Sequence, residues 1–295
     1  MSHVARLKMA KQKGEALLKQ EGITALPVDP FAIAASRDIL VEAKPDAADG
    51  VSGMLLRHGD TFGILYATYI PNDGFQRYSI SHELGHFFLD GHIDHLLPRN
   101  GIHSSHAGFI SADPYELEAD NFAAGLLMPS VMCKRLITRR DPGLDAVEAL
   151  AHDCRTSLTA TAIRFAELTD DAVAVIISTG NAIDYCVLSQ AMKSLPQLSW
   201  LKKGSAVPTG TATARLSASA ESILKGDRTM DEVDVIDWLG GTRSAVVTEE
   251  VVGLGRYRKT LTILTSSRIG HEEDKLDDDE ADEAIVERWT ARFHR

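Results

Sequence analysis

Residues 81–92 read SHELGHFFLDGH, and the interpretation of this stretch decides what the N-terminal half of the chain is built around. His82 and His86 stand four apart, with Glu83 between them. On an α-helix, positions i and i+4 share a face one turn apart, so two imidazole nitrogens can converge on a single ion. Glu83 falls about 100° further round the helix, where it can reach a water on that ion without ligating it. Leu84, Phe87 and Phe88 fall toward the remaining faces and can anchor the helix in a core. Three fixed positions are a weak signal alone, because two surface histidines on an amphipathic helix would spell the same letters. The flanking sequence has to decide.

Upstream, ILVEA (39–43), VSGMLLR (51–57) and TFGILYATYI (61–70) are apolar or alternating runs. The HGD turn (58–60) pairs the second and third as a hairpin. PNDG (71–74) breaks the chain before the pattern becomes helical, and Asp90–Gly91 ends the helix. Residues 91–114, rich in Gly, Pro, His and Ser, read as a loop. YELEADNFAAGLLMP (115–129) is the next helix, with Asp113 as its N-cap, Pro114 at its first position and Pro129 as its stop.

That second helix supplies the best third ligand. Glu116 and Asp120 are four apart and share a face. Glu116 would bind the ion, and Asp120 would accept a hydrogen bond from the far nitrogen of a ligating histidine, fixing its tautomer. Two alternatives stand beside this one. His92 lies ten residues after His82, the spacing of HExxHxxGxxH, but the required glycine position is Leu89 and the glycine comes late, at Gly91. Glu118 is two residues from Glu116 and points elsewhere, as a salt-bridge or surface residue. Two histidines and a carboxylate suit zinc with one position open for water, and manganese is compatible with the same ligand types. Glu83 would then act as general base in a hydrolysis. Tyr78, Tyr115, His103 and His106 lie near the motif in sequence; none is assigned as an oxyanion donor, and each reads as a packing or loop residue. One of the strands in 51–70 would pair with an extended substrate.

HELGHFFLDGH, ELEADNFAAGLLMP and the earlier ALPVDPFAIAA together resemble the ImmA/IrrE family of metallopeptidases, over residues 20–168. The resemblance implies a zincin-like fold, zinc held by His82, His86 and a glutamate, and Glu83 as base. It implies a substrate class too: helix-turn-helix transcriptional repressors, cut to release stress-response or mobile-element genes. Some members continue into a sensor domain resembling GAF domains, a likeness that residues 171–265 share only in being strand-rich.

The expected fold class is therefore α+β: a zincin-like metallopeptidase domain over 1–169, with a small, mostly antiparallel sheet, an active-site helix and a trailing helix pair (143–168). A strand-rich regulatory or docking domain over 170–270 follows, then an acidic helix or tail over 271–295. Short helices are expected at the N-terminus and at 27–39, and hairpins at AVAVIIS–TGN–AIDYCVLS and AVVTEEVVGLG–RKTLTILT. GLGRYR (253–258) mimics a dinucleotide loop but has Arg258 at the third glycine position and no βαβ context.

Composition narrows the remaining classes. Of the net charge of −11, residues 271–290 carry −8 through ten acidic and two basic residues, so the rest of the chain is nearly balanced. No run of about 18 apolar residues suggests a membrane span, and the charged N-terminus lacks a signal-peptide core. Cys133, Cys154 and Cys186 are scattered and odd in number, which suits a reducing cytoplasm. Direct DNA binding by 147–168 would need a basic recognition helix, and that stretch offers only Arg155 and Arg164. The competing reading is a non-enzymatic regulator or DNA-binding module that retains a metal site.

Overall fold

A computed structural model of the protein describes residues 2–44, 50–97, 100–106 and 113–266. The acidic stretch 271–295 lies outside the described residues. The described chain forms two compact units: residues 2–132 with Ala151–Ser157, and Cys133–Leu150 with residues 158–266. Both mix helices with a sheet, so the chain is α+β.

The first unit begins with α1 (His3–Gln20) and α2 (Pro30–Ala35), the latter started by Asp29, whose carboxylate accepts from the Phe31 N–H at 3.0 Å. Three strands follow: β1 (Leu40–Lys44), β2 (Val51–His58) and β3 (Thr61–Ala67). β2 and β3 form the expected hairpin, His58 opposite Thr61, turned by Gly59 at φ +61°. α3 (Asp73–Phe88) carries the histidine pair and is started by the Asn72 side chain, which accepts from the Phe75 N–H at 2.9 Å.

The stretch 91–114, expected as a loop, instead holds α4 (His92–Leu96) and β4 (Asn100–His106). β4 has one exposed aliphatic residue, Ile102, and no apolar alternation to betray it. Pairing with β2 supplies its regularity. The sheet order is β1-β3-β2-β4, with β1 parallel to β3 and the other pairings antiparallel. Both strands of the hairpin are thus flanked on each side. Neither can accept a substrate strand as expected; the edges of this sheet are β1 and β4.

α5 (Pro114–Leu127) completes the unit, with Asp113 capping the Tyr115 N–H at 2.9 Å. Ile80 and Leu84 of α3, Leu55 and Ile64 of the sheet, and Phe122 and Leu126 of α5 are fully buried in one core with Leu17 and Leu18 of α1. α1 and α5 cross at glycines: a Cβ on Gly14 would strike the Phe122 carbonyl, and one on Gly125 the Lys11 carbonyl.

In the second unit lie most of α6 (Ser130–Ile137) and α7 (Leu144–Cys154), and all of α8 (Leu158–Leu168). β5 (Ala172–Thr179) and β6 (Ala182–Leu188) form the second expected hairpin. α9 (Gln190–Lys193), α10 (Ala212–Ser217), α11 (Ala220–Lys225), β7 (Arg228–Asp234) and α12 (Val235–Leu239) occupy the weakly patterned middle. β8 (Val246–Gly253) and β9 (Thr260–Ser266) are the third hairpin, and the turn between them is where GLGRYR sits. The five-stranded sheet runs β6-β5-β9-β8-β7, antiparallel throughout. β5 and β9 are buried along nearly their whole length, which is why they read as unbroken apolar runs rather than alternation. No helix among the described residues is long and apolar enough to cross a membrane.

Candidate metal centre

α3 and α5 meet at two small residues. A Cβ on Gly85 would lie 3.0 Å from the Ala119 Cα, so the helices approach closely enough for α5 to present its carboxylates to the histidines of α3. His82 Nε2 and His86 Nε2 stand 3.0 Å apart. Glu116 closes the group, with Oε2 at 3.2 Å from His82 Nε2 and Oε1 at 3.3 Å from His86 Nε2. One donor atom from each of these three residues lies within 4.8 Å of the others. Two buried imidazoles and one carboxylate facing a common point are the donor set that a zinc-like cation needs, and three ligands leave a position open.

The other helix-face acid, Asp120, sits behind His82, its Oδ1 at 2.8 Å from Nδ1. Tyr78 OH donates to the same oxygen at 3.0 Å. His92 is not between the ligands. It is fully buried on the far side of His86, with the two Nδ1 atoms 3.1 Å apart. Glu118, read from sequence as a salt-bridge or surface residue, pairs with Arg6 at 2.7 Å, yet it is only 7% exposed and also approaches His92 Nε2 at 3.3 Å. Residues two apart on α5 thus meet different histidines, Glu116 facing His82 and His86 and Glu118 facing His92. His103 Nε2 lies 2.8 Å from Glu116 Oε1. Its position on β4 escaped sequence reasoning because β4 itself did. The signal available was alternation: His103 and Ser105 are two apart and therefore face the same side of a strand.

Glu83 is completely buried, and neither carboxylate oxygen has a hydrogen-bond partner among the described residues. β2 offers a glycine beside it: a Cβ on Gly53 would come within 2.5 Å of Glu83 Oε1 in its present position. Gly53 pairs with Ser105 beside an irregularity in the β2–β4 register. Burial pushes the Glu83 carboxyl up to about 7, and the His82 charge and the nearby Ser105 hydroxyl, which stands outside hydrogen-bonding geometry, pull it only part of the way back.

Without an ion between them, the three metal-facing groups shift in different directions. Burial works to lower the His82 pKa, but hydrogen bonds to Asp120 and Glu116 outweigh it and hold that imidazole well above its ordinary range. Burial lowers His86 to about 3 despite Glu116, so it is a neutral imidazole with a lone pair to offer. Burial would raise the Glu116 carboxyl, yet His103, His82 and His86 together hold it far below the usual carboxylate range.

Residues 34–166 match the family model Peptidase_M78, described as the IrrE N-terminal-like domain. The matched segment contains both α3 and α5. The ImmA/IrrE resemblance carried by the motifs therefore holds over the stretch that contains α3 and α5. One solved structure, a Mycobacterium tuberculosis transcriptional regulator, is similar to this chain with a TM-score of 0.51 and 11% identity, covering 90% of this chain and 82% of that one. At that identity the likeness is one of fold. Among curated proteins there is no match.

Proposed function

We propose that the chain is a zinc-dependent endopeptidase that hydrolyses a peptide bond in a helix-turn-helix transcriptional repressor. In this reading His82, His86 and Glu116 hold the metal, Asp120 orients His82, and Glu83 is the general base. The observation that carries it is the Glu83 carboxylate, buried without a partner beside the three converging donors. An unpaired buried carboxylate costs stability, and a purely structural metal site has no use for one.

A zinc ion bound there would supply Lewis acidity, polarising the scissile carbonyl and acidifying a water. The remaining work falls to the chain. Glu83, poised near 7, removes a proton from the attacking water and returns it to the departing amine. Asp120, itself held by Tyr78, keeps the His82 ring from turning. His103 holds one oxygen of Glu116 at 2.8 Å, steadying the carboxylate against rotation. An extended substrate would add to the β4 edge, on the strand that carries His103 and Ser105, with backbone hydrogen bonds fixing its register. We assign the zincin-like description to this domain and a docking or sensing role to residues 170–270. A cytoplasmic setting, expected from the cysteine spacing, and stress-linked gene control belong to the same reading.

The structural neighbour is a transcriptional regulator, which favours a second reading, a non-enzymatic regulator or DNA-binding module with a retained metal site. Arg164 counts against DNA contact by α8: it is the only Lys or Arg of that helix, is 4% exposed and pairs with Glu167 at 2.9 Å. Glu83→Gln separates the two readings. The peptidase reading requires that it keep its zinc while cleavage of a helix-turn-helix repressor disappears; undiminished cleavage would sink it. Zinc content of Glu116→Ala against His92→Ala at saturating zinc tests the ligand assignment, with the ion lost from the first and retained, at whatever affinity, by the second.

A further inference from the structure

His82 has a carboxylate directly behind it, and His86 does not. The atom at 3.1 Å from His86 Nδ1 is the Nδ1 of another imidazole, His92. Behind His92, in turn, stands Glu118 Oε2 at 3.3 Å from Nε2, and Glu118 is ion-paired at 2.7 Å with Arg6 of α1. His86 and His92 are both fully buried, so no solvent replaces these partners. The Tyr115 ring packs edge-on against His92, with centroids 4.9 Å apart, and fixes its plane.

The geometry points to a positioning relay, Arg6–Glu118–His92–His86, in which His92 carries the orienting effect of a carboxylate to the second metal-facing histidine. The order of protons follows from donor and acceptor chemistry. To face a metal through Nε2, neutral His86 must carry its proton on Nδ1. That N–H then donates to His92 Nδ1, which must be a lone pair. The His92 proton is therefore on Nε2, where it donates to Glu118. Only this order gives every donor an acceptor along the chain. α5 consequently governs both nitrogens of His86: Glu116 approaches Nε2 directly, and Glu118 governs Nδ1 through His92. The ten-residue spacing from His82 to His92, which imitates a third-ligand motif, thus serves orientation rather than coordination.

The inference rests on the metal reading above, and its test separates the two. Zinc affinity is measured by competition with a chromophoric chelator for wild type, His92→Phe and His92→Gln, with near-ultraviolet circular dichroism as the check on folding. Histidine nitrogen-15 spectra of the zinc-loaded wild type locate the ring protons. We expect His92→Phe, which fills the ring's space but cannot accept, to bind zinc about 10–100-fold more weakly. His92→Gln, which keeps one acceptor and one donor, should recover much of that loss. The spectra should place protons on His86 Nδ1 and His92 Nε2. Unchanged affinity in His92→Phe, equal loss in both variants, or a proton on His92 Nδ1 overturns the relay while leaving the metal site standing. Should His92→Phe fail to fold, the wild-type spectrum decides alone. A wild type that binds no zinc overturns both.

Discussion

At the scale of single residues, Glu83 and Gly53 form one device. The carboxylate is kept dry and unpaired, and the missing methyl on the neighbouring strand makes its slot. The cost is visible in metal-free protein. Unfolded, Glu83 loses its proton near 4.5; folded, near 7. The unfolded state therefore gains on the folded one as pH rises through that window, and the penalty is complete above 7, at about 3 kcal/mol. Metal-free Glu83→Gln should melt above metal-free wild type at pH 8 and close to it at pH 5, and a gap independent of pH would contradict this. Gly53→Ala pushes on the far end of a side chain, which can swing aside. The fold and the zinc should survive, while a base displaced by about an ångström loses on the order of 100-fold in cleavage rate. Loss of zinc in Gly53→Ala would show that the slot supports more than the base.

At the scale of elements, the site depends on how closely helices approach. Gly125 of α5 lies against the Lys11 carbonyl of α1, which is backbone and cannot step aside. Gly125→Ala should therefore cost about 1–3 kcal/mol in a thermal or denaturant melt, and should weaken zinc binding as well, because α5 carries Glu116. A melt shift without any change in zinc affinity would mean that α5 holds its carboxylates independently of α1. The elements also show what was legible beforehand. α3 and α5 could be read because the PNDG break, Asp113–Pro114 and the four-residue spacings all agree. The first hairpin could be read because its turn and its apolar runs coincide. β4 could not: an edge strand spelled NGIHSSH takes its regularity from β2, and nothing local announces it. His103 was lost with it. Glu118, read as a salt-bridge or surface residue, does pair with Arg6, but its approach to His92 went unread, since spacing along a helix fixes direction but not what a long side chain meets after bending round.

At the scale of the molecule, a bound cation acts on the whole folding equilibrium. Zinc at a thousand times its dissociation constant would add about 4 kcal/mol to the folded state that holds it. Chelation should lower the melting temperature of wild type and leave Glu116→Ala nearly where it was; an equal drop in both would place the metal elsewhere. The partition of the chain has a consequence for synthesis. Thr156 and Ser157, whose backbone closes on Gly74 at the start of α3, belong to the first unit but follow Cys133–Leu150, which belongs to the second. A ribosome that has released Met132 has therefore not yet delivered everything that the first unit needs. The segment between waits longer still, for strands that begin at Ala172. Arrested nascent chains should thus resist protease over residues 2–132 only once residue 157 has cleared the exit tunnel, so that the candidate metal site is finished late in translation although nearly all of its residues are made early.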